Sequence, residues 1–514
     1  MGSAPQQTSV SIHDLEKPMK SKYSVILLIA LMLFSCSDSS VNPSAEVTDE
    51  KIFVWNGLNQ WYFWQESVPD LADDRFTGNR DFYNFLEGYS DERALFNSLL
   101  FAGDDFSWFI DDFEVHEQSR QGISKSFGFR FGLVRIGTTN NIFGYVQYVV
   151  PDSPADLAGL KRGEIFTRIN GTVLTIGNYL DLLQNEDYTL TMATISNGSI
   201  SEKAETKSLS SIVLQENPIL KAEVLTVGDK KVGYLVLNAF RFNFHAELNE
   251  AFGLFSSEQI DDLVLDLRYN GGGALVTSAT LAGLISGLEE SVVFASLIHN
   301  SKQEQRNSDF PFFERVPVYN SSGSLQEWVS MNSLGLDRVF VLTARGTASA
   351  SETLINGLRP FMEVIQIGDV TRGKDEGSIT VYDSPPGYGN KQNLNPSHKR
   401  AMQPIVFKIF NSQMEDYPAG FSPLSGNSLR EIDFLENLPE LGDPQEPLLA
   451  RALEIIEEFE VVARQRFAPQ FDGRVVFESP ELAPRDWETY LLPAEISVPD
   501  GSESITITPA GRVQ

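Results

Sequence analysis

Two glycine-rich loops, each preceded by an apolar run, carry the residue types of a hydrolase. The loop Gly346–Ala350 contains Ser349, and a later loop, Gly368–Lys374, ends on a lysine. A serine hydroxyl becomes a nucleophile when a base removes its proton, and a neutral lysine is a competent base if burial lowers its pKa. These residue types alone favour a Ser/Lys hydrolase only weakly. An anion-binding turn, or simply the tight turns of an α/β core, stays open.

A third loop, Gly271–Gly273, offers backbone groups that such a reaction needs. It follows the apolar run Asp262–Leu267, and small residues let a backbone approach a ligand closely. Ligands of open α/β sheets lie at strand ends of this kind. Ser349 stands at a predicted strand-to-helix turn, so the N–H groups just after it would point outward from a helix N-terminus. That geometry is suited to holding an oxyanion.

The elements that must position these loops form an alternating pattern from about residue 222 onward. Near-continuous apolar strands alternate with helices, as expected for a sheet covered on both faces. The predicted strands are 232–240, 262–267, 338–343 and 364–367. The predicted helices are 246–255, 274 to about 288, and one that runs on from the block 345–352 to about 358. Within this predicted core, 213–445, the polar and turn-rich stretch 298–335 reads as an insertion or surface excursion. We expect the periodic helix 446–468 to pack on the core, and the tail 469–514 has no assigned role.

Two further regions precede the core. Residues 51–117 hold a dense aromatic set at near-helical spacing and read as a small helical domain whose aromatic side chains form its core. Residues 118–212 change to short alternating apolar runs bounded by turn residues, which is typical of strands. Within them, Ser153–Ile165 predicts a serine N-cap, Pro154 at the first helical position, a short helix and a glycine stop.

The segment Ser153–Ile165 resembles a PDZ domain, with Glu164 where that pattern has aspartate. Such domains bind extended C-terminal peptides by adding a strand to a sheet edge. By this resemblance, the loop that would hold the terminal carboxylate is Phe127, Gly128 and Phe129. A PDZ-shaped spacer without a ligand is the alternative.

The N-terminus carries an export pattern. The nine-residue apolar run Val25–Leu33 is too short to span a bilayer, which needs about 20 residues, and lysines precede it. It leads to Cys36 in a sequence that resembles a bacterial lipobox, although Phe34 is bulkier than usual there. We therefore predict a signal peptide over 1–36 with lipidation at Cys36. A plain signal peptide or an uncleaved anchor is the alternative.

Several finer expectations follow from this N-terminus. Met19 looks like the true start, which would make 1–18 an upstream extension. The polar stretch 37–50 reads as a flexible tether. An acidic Ser-Asp pair directly after the cysteine resembles the surface-export signal of Bacteroidetes lipoproteins. We therefore expect a cell-envelope lipoprotein at the outer membrane, either periplasmic or surface-exposed.

Composition excludes several classes of protein. The 514 residues include 40 Lys+Arg and 70 Asp+Glu, so the formal net charge of −30 disfavours a nucleic-acid partner. One cysteine rules out an internal disulfide and any zinc site with two thiolates. The five histidines form no H-E-x-x-H pair. The length suggests about three domains.

Taken together, the segments resemble the C-terminal processing peptidases, which are carboxyl-terminal serine proteases related to tail-specific protease. Gly346–Glu352 is similar to the family's nucleophile segment, and Lys374 stands 25 positions after Ser349, as the family's lysine does. Leu265–Gly273 resembles its oxyanion-hole strand and loop. The resemblance spans about 118–410 and, less distinctly, 51–117. It implies an α/β multi-domain fold with a small helical N-terminal domain, a PDZ-like β-rich domain and an α/β protease core of the ClpP/crotonase-like type.

The resemblance also implies roles for individual residues. Ser349 would attack the scissile carbonyl, and Lys374 would accept its proton and later activate water. The N–H of Ala350, with that of Gly272 or Gly273, would bind the oxyanion. No metal or cofactor is implied.

One position departs from the family pattern. Many members have a glutamine four residues after the lysine to orient its amine, and this chain has Ser378, whose reach is shorter. The third catalytic member therefore stays open. Glu352 could position the loop, although a helix-surface salt bridge is the preferred interpretation. We expect Asp375 and Glu376 to face solvent while Lys374 is enclosed.

A Ser/His pair is not expected, because His245, His299 and His398 lie in no glycine-rich strand-end loop. The predicted function is that of a lipid-anchored serine endopeptidase that cleaves exported or unfolded proteins, with the PDZ domain selecting C-terminal segments. Two alternatives stay open: a non-catalytic peptide-binding lipoprotein, and hydrolysis of non-peptide esters by the same dyad. The oligomeric state is not predicted.

Overall fold

The computed structural model describes residues 47–457, 473–478 and 489–492. The predicted signal peptide with Cys36, the tether as far as residue 46, and 458–468 of the predicted C-terminal helix lie outside the described residues. None of the helices in the described part of the chain is both long and apolar enough to cross a bilayer.

The N-terminal region is helical, as predicted. Its elements are α1 (Asp49–Trp61), α2 (Asn79–Glu87), α3 (Glu92–Ser98), β1 (Trp108–Ile110) and α4 (Phe113–Arg120). The Thr48 side chain caps α1 by accepting from the Lys51 N–H at 3.4 Å, a common way to satisfy the first turn of a helix. Phe53, Trp61 and Tyr62 are at most 2% exposed and join the main hydrophobic core, as predicted, whereas Tyr83 is 42% exposed.

The PDZ region is an antiparallel sheet with two short helices. Its elements are β2 (Ile123–Ser126), β3 (Phe129–Ile136), β4 (Ile142–Val149), α5 (Pro154–Leu157), β5 (Ile165–Ile169), β6 (Thr172–Val173), α6 (Tyr179–Leu183), β7 (Asp187–Ser196), β8 (Ser199–Ser210) and β9 (Ile212–Gln215). The main sheet runs β3-β4-β5-β7-β8. The Ser153 hydroxyl caps α5 by accepting from the Asp156 N–H at 3.3 Å, and Pro154 opens the helix, as predicted.

The remaining elements build the core. They are β10 (Ile219–Val227), β11 (Lys230–Leu237), α7 (His245–Glu258), β12 (Asp262–Asp266), β13 (Gly273–Ala274), α8 (Leu275–Ser286), β14 (Val293–His299), β15 (Ser308–Pro311), β16 (Arg315–Tyr319), β17 (Leu325–Ser330), β18 (Arg338–Thr343), α9 (Ala350–Leu358), β19 (Glu363–Gly368), β20 (Glu376–Ser378), β21 (Val381–Tyr382), β22 (Ala401–Gln403), β23 (Ile405–Phe410) and α10 (Pro447–Ile456). Two tail strands follow, β24 (Gly473–Glu478) and β25 (Thr489–Tyr490).

Two sheets organise these elements. The first runs β10-β11-β12-β18-β19, and every pair from β11 to β19 is parallel. The carboxyl ends of β12 and β18 therefore meet at one edge, which brings the Gly271–Gly273 and Gly346–Ala350 loops together. The second sheet runs β13-β25-β20-β23-β14-β15. The β1 strand of the helical domain pairs with β22, which joins that domain to the core.

Part of the stretch 298–335 is core, so the surface-excursion alternative is wrong for that part, and the insertion alternative stays a prediction. Strand β15 extends the second sheet by pairing with β14, and β16 pairs with β17. Phe310, Phe312 and Phe313 are at most 1% exposed and belong to the main core. The polar residues that separate these aromatics along the chain dilute the apolar pattern, while burial depends on the neighbouring strand.

A buried charged network joins the PDZ domain to the core. Arg162 contacts Tyr269, and its guanidinium also donates to Glu431 at 2.7 Å. Arg268 donates to Glu446 at 2.5 and 2.9 Å and pairs with Glu431 at 3.1 Å. Both arginine side chains are 1% exposed. We call these five residues the junction network, and its Arg268 and Tyr269 directly precede the Gly271–Gly273 loop.

Candidate active site

Ser349 occupies a sharp turn between β18 and α9. Its φ of 61° and ψ of −115° lie outside the regions that non-glycine residues favour, and its side chain is fully buried. Such a conformation costs about 1–3 kcal/mol and persists where the surrounding structure enforces it, commonly at functional sites. A serine on a strained strand-to-helix turn is the arrangement that presents a nucleophile in other hydrolases.

Glu352 holds this turn in place. Its Oε2 accepts the backbone N–H of Ser349 at 2.8 Å and that of Lys374 at 2.9 Å. Its Oε1 accepts the Thr371 hydroxyl and the Gly373 N–H, each at 2.6 Å. The carboxylate is fully buried, so the preferred interpretation of a helix-surface salt bridge is wrong. The loop-positioning alternative agrees with these contacts, and a glutamate three residues after the serine N-cap is the sequence signal for it.

Burial and hydrogen bonding act on Glu352 in opposite directions. Desolvation raises the pKa of this carboxyl, while the bonds from Thr371, Gly373, Lys374 and Ser349 lower it, and burial prevails. Those four donors occupy the four acceptor positions of an ionised carboxylate. Glu352 therefore links the serine loop and the lysine loop through hydrogen bonds from uncharged N–H and O–H groups.

Lys374 is enclosed, as expected, and its side chain is fully buried. Its Nζ lies 4.9 Å from the centre of the Phe106 ring, which comes from the helical domain. The Arg372 N–H donates to Thr347 O at 3.0 Å and ties the lysine loop to the serine loop a second time. The base and nucleophile candidates, 25 positions apart in sequence, thus lie on two loops that share hydrogen bonds.

Asp375 and Glu376 do not face solvent, so that prediction is wrong. The Asp375 side chain is fully buried and pairs with Lys408 at 3.2 Å, and the Glu376 side chain is 12% exposed. Burial and the neighbouring Asp375 raise the pKa of Glu376 to about 8. The physical reason is the pairing of β20 with β23, which places Lys408 opposite Glu376 and supplies the counter-charge inside the sheet.

The predicted oxyanion donors lie on both sides of the serine turn. Ala350 is the first residue of α9, where a backbone N–H has no acceptor within the helix. The Gly272 N–H donates to Asn270 Oδ1 at 2.9 Å, so it is used within its own loop. Gly273 has φ 142°, and a Cβ there would lie 2.2 Å from Phe240 O. Of the two glycines, Gly273 is therefore the better donor candidate.

Ser378 lies beside the nucleophile in a hydrogen-bonded chain. Its hydroxyl donates to Thr489 O at 3.3 Å and accepts from Gln403 Nε2 at 2.8 Å, and Thr489 Oγ1 lies 2.6 Å from Ser349 Oγ. Gln403 also accepts from the Thr380 hydroxyl at 2.9 Å. An amide is thus present next to Ser378, although it comes from β22. Sequence reasoning missed Gln403 and Thr489, because both reach the site only through strand pairing.

The predicted PDZ loop surrounds a glycine that no other residue can replace without strain. Gly128 has φ 76°, and a Cβ there would lie 2.0 Å from Ser153 Cβ. Its carbonyl accepts the Val150 N–H at 2.8 Å and the Ser153 hydroxyl at 3.1 Å. Phe127 stacks on Tyr188 with ring centres 4.0 Å apart, and Phe129 begins β3. The loop therefore lies at the entrance to the β3 edge.

Two of the three histidines considered above, His245 and His398, have polar partners of their own. The Nδ1 of His245 lies 2.7 Å from Pro317 O, and its Nε2 lies 2.7 Å from the Thr277 hydroxyl. Burial lowers the pKa of His245 to about 4. Burial likewise lowers the pKa of His299 to about 4. His398 pairs with Asp383 at 3.0 Å. These contacts agree with the expectation that none of them serves Ser349.

Three family models match the chain in the predicted domain order. Residues 49–108 match the peptidase S41 N-terminal domain, residues 145–195 match a PDZ domain, and residues 231–395 match peptidase family S41. The last range contains Ser349, Lys374 and the Gly271–Gly273 loop.

Among curated proteins, the chloroplastic C-terminal processing peptidase of Tetradesmus obliquus is 29% identical over 46% of this chain and 49% of its own length. A protein of Staphylococcus epidermidis named as a CtpA-like serine protease is 24% identical over 68% of this chain. The chain spans about half to 62% of the lengths of these relatives.

Among solved structures, a Bacteroides fragilis protein described as an S41 protease is 25% identical with a TM-score of 0.60. The match covers 79% of this chain and 96% of that one. The predicted fold class, with a helical domain, a PDZ domain and an α/β protease core, is confirmed by these matches together with the described elements. The match of residues 231–395 to peptidase family S41 agrees with the resemblance to the C-terminal processing peptidases.

Proposed function

We propose that this chain is a serine endopeptidase in which Ser349 is the nucleophile and Lys374 the general base. The family assignment supports a serine-type peptidase, and the site geometry supports this choice of residues. The observation that carries the proposal is the double contact of Glu352 Oε2, which accepts the backbone N–H of Ser349 at 2.8 Å and of Lys374 at 2.9 Å. One buried carboxylate oxygen thereby links the backbones of the proposed nucleophile and the proposed base.

In the proposed reaction, Ser349 Oγ attacks the scissile carbonyl as its proton passes to the Lys374 amine. The oxyanion is held by the N–H groups of Ala350 and Gly273, and removal of one such donor costs about 10²–10³-fold in rate in comparable enzymes. The protonated lysine then gives its proton to the leaving amine, which releases the C-terminal product. Lys374 next activates water, and hydrolysis of the acyl-enzyme regenerates Ser349.

A buried lysine suits this role because a general base must be uncharged before the reaction. The amine is enclosed beside the Phe106 ring, and apolar surroundings favour the neutral form of an amine. Of the two carboxylates that would oppose this, Asp375 pairs with Lys408 at 3.2 Å, while Glu376 interacts electrostatically with both Lys408 and Lys374.

The substrates we propose are extended segments of exported or unfolded proteins. A PDZ domain adds a peptide strand to its edge. We assign the terminal carboxylate to the Phe127–Phe129 loop, which leads into β3. Mass spectrometry of cleavage products from an unfolded-protein library would report activity, site preference and dependence on a C-terminus in one experiment.

A fluorophosphonate probe tests the nucleophile. The wild type should be labelled and Ser349→Ala should not, and Lys374→Ala should lose both labelling and peptide turnover.

The rate of peptide cleavage should rise with pH as the lysine loses its proton, so a flat profile from about pH 6 to 10 contradicts a lysine base. Absence of labelling with peptide binding unaffected by Ser349→Ala would instead favour the non-catalytic adaptor. Ester turnover without peptide turnover would favour the non-peptide hydrolase.

We further propose that the enzyme is exported and held at the cell envelope by a lipid on Cys36. The apolar run Val25–Leu33 and the lipobox-like sequence before the cysteine support this. Detergent-phase partitioning of the wild type, lost in Cys36→Ser, is the expected result. Equal partitioning of both chains into the aqueous phase would contradict it.

A further inference from the structure

The strand β25 of the C-terminal tail lies inside the catalytic sheet. It pairs in parallel with β13, with Thr489 opposite Gly273, and on its other side with β20, with Tyr490 opposite Ser378. It therefore fills the gap between the proposed oxyanion strand and the strand that follows Lys374. A peptide that added itself to either strand would need the same gap.

The tail also contacts the proposed nucleophile, Ser349. Thr489 Oγ1 lies 2.6 Å from Ser349 Oγ, and both side chains are fully buried. The Thr489 carbonyl accepts from the Ser378 hydroxyl at 3.3 Å, and the Leu491 N–H donates to Ser378 O at 3.3 Å. Ser349 thus meets a side-chain hydroxyl of the tail while the Thr489 carbonyl is engaged by Ser378. This register holds the strand without presenting that carbonyl for attack.

The following residues are packed as core side chains. Tyr490, Leu491 and Leu492 are 2%, 6% and 3% exposed and belong to the main hydrophobic core. The Arg120 guanidinium of α4 lies 3.8 Å from the centre of the Tyr490 ring, within the range of a cation–π contact. Arg120 also donates to the Thr380 hydroxyl at 2.8 Å. The gap therefore accepts an aromatic residue followed by two leucines.

An earlier part of the same tail occupies the PDZ edge. Strand β24 pairs antiparallel with β3, with Gly473 opposite Ile136 and Glu478 opposite Gly132, so it runs toward the Phe127–Phe129 loop. Val476 packs against the PDZ core cluster, which includes Leu183 of α6. This is the strand addition by which peptides are captured.

We propose that the C-terminal tail is the chain's own ligand, which occupies the PDZ edge through β24 and the catalytic gap through Thr489–Leu492. Two attachments on one chain raise the effective concentration of each to about the millimolar range, so the tail competes strongly with an external peptide. Substrates must match what the gap holds, namely an extended segment with a small hydroxyl residue followed by aromatic and aliphatic side chains. The competition for turnover rests on the proposed function, while occupation of the gap does not.

A charge placed in the tail tests the proposal in the full chain. Leu491→Asp puts a carboxylate into the hydrophobic core and should expel the strand. The rate of fluorophosphonate labelling and kcat/KM for a quenched peptide should then rise by about tenfold or more. Leu424→Asp is the matched control, since this leucine is 78% exposed. Equal labelling and turnover in the two folded variants would overturn the proposal.

A second variant covers the case in which Leu491→Asp does not fold. A chain that ends at residue 472 lacks both tail strands, and its far-ultraviolet circular dichroism reports folding. A synthetic peptide of residues 486–495 should bind this chain and inhibit it competitively, while the full-length protein should bind the peptide at least about tenfold more weakly. Failure of the peptide to bind the folded, shortened chain would overturn the proposal.

The same peptide separates this inference from the proposed function. Binding is measured by fluorescence anisotropy on the shortened chain that also carries Ser349→Ala. If Ser349 is not a nucleophile, labelling and turnover vanish in every variant, yet the peptide still binds the shortened chain in preference to the full one. If the tail is not a ligand of the gap, the peptide binds neither the shortened nor the full-length chain. The variants that retain Ser349 are then still labelled by the fluorophosphonate.

Discussion

Two fully buried glutamates show how differently this molecule treats a carboxylate in its interior. Glu446 in the junction network pairs with Arg268 and Arg162, so that, although burial raises its pKa, the two arginines lower the pKa to about 2. Glu352 in the active site receives hydrogen bonds from backbone N–H groups and one hydroxyl, and burial raises its pKa. One carboxylate is compensated by charge and the other by dipoles.

The difference follows from what each region must do. At the junction, the ion pairs of Arg162 with Glu431 and Glu446 hold the PDZ domain against the core. Beside the proposed base, an arginine aimed at the carboxylate would put a second positive charge near Lys374 and alter the proton transfer. Backbone donors hold Glu352 equally well by geometry and add no net charge.

Glu446→Ala should have the largest effect, since it leaves Arg268 buried with one fewer partner. Breaking a buried pair in this way typically costs about 3–5 kcal/mol in the free energy of unfolding. Urea denaturation at pH 7 measures it. A loss below about 1 kcal/mol in the free energy of unfolding would show that the ion pair with Glu446 does not stabilise the buried Arg268.

The same glutamate predicts acid sensitivity. Its folded pKa of about 2 is below its usual value, so its stabilisation is complete above about pH 4.5 and is lost as the pH falls toward 2. Glu446→Ala should remove that part of the acid limb in denaturation curves collected between these values.

Glu352→Gln is the next largest expected effect and acts on activity. The amide keeps one acceptor oxygen but turns N–H groups toward the N–H donors of the two loops, which displaces Ser349 relative to Lys374. A misplacement of this kind costs about 10²-fold in rate. Peptide turnover should fall in kcat more than in KM, and a change confined to KM would assign Glu352 to substrate binding.

Glu376→Gln should change the pH dependence of stability. The folded pKa of about 8 exceeds the usual value, so between about pH 4.5 and 8 the native state binds more protons than the unfolded state. The free energy of unfolding should therefore fall with rising pH, by up to about 1.4 kcal/mol for each pH unit from this group. The difference between wild type and Glu376→Gln across this window isolates the contribution, and a constant difference would contradict it.

The smallest effect is expected at an exposed pair. Lys231 and Glu258 lie 2.9 Å apart with both side chains 47% exposed. Pairs of this type contribute about 0.2–1 kcal/mol. Lys231→Ala should therefore shift the urea midpoint far less than Glu446→Ala. A comparable shift would contradict the expectation that the buried ion pair stabilises the fold more than the exposed one.

Much of the fold was predictable because local patterns report it. The apolar run 338–343 became β18 with the same bounds, and the Ser153 cap with Pro154 opens α5. The three phenylalanines at 310, 312 and 313 were misassigned to a surface excursion, because their burial depends on β14 and on helices distant in sequence. Periodicity within a segment cannot report which surface will cover it.

At the candidate site, the loops and their spacing were predictable, and the contacts among them were not. Ser349 and Lys374 lie in recognisable glycine-rich loops, and the serine–glutamate spacing of a capping box was present in the sequence. The burial of Asp375 and Glu376 was not foreseen, because their counter-charge, Lys408, is supplied by a strand more than 30 residues later. Gln403 and Thr489 were missed for the same reason.

The sequence by itself determined the strand-end loops, which follow from residue type and local periodicity. Its resemblance to the C-terminal processing peptidases implied the order of the domains and the candidate nucleophile and base. Only the tertiary structure decided that one buried carboxylate joins both loops and that the chain's own tail lies between their strands. Hydrogen bonds and strand pairing between distant segments depend on where the core places each backbone, which no local pattern records.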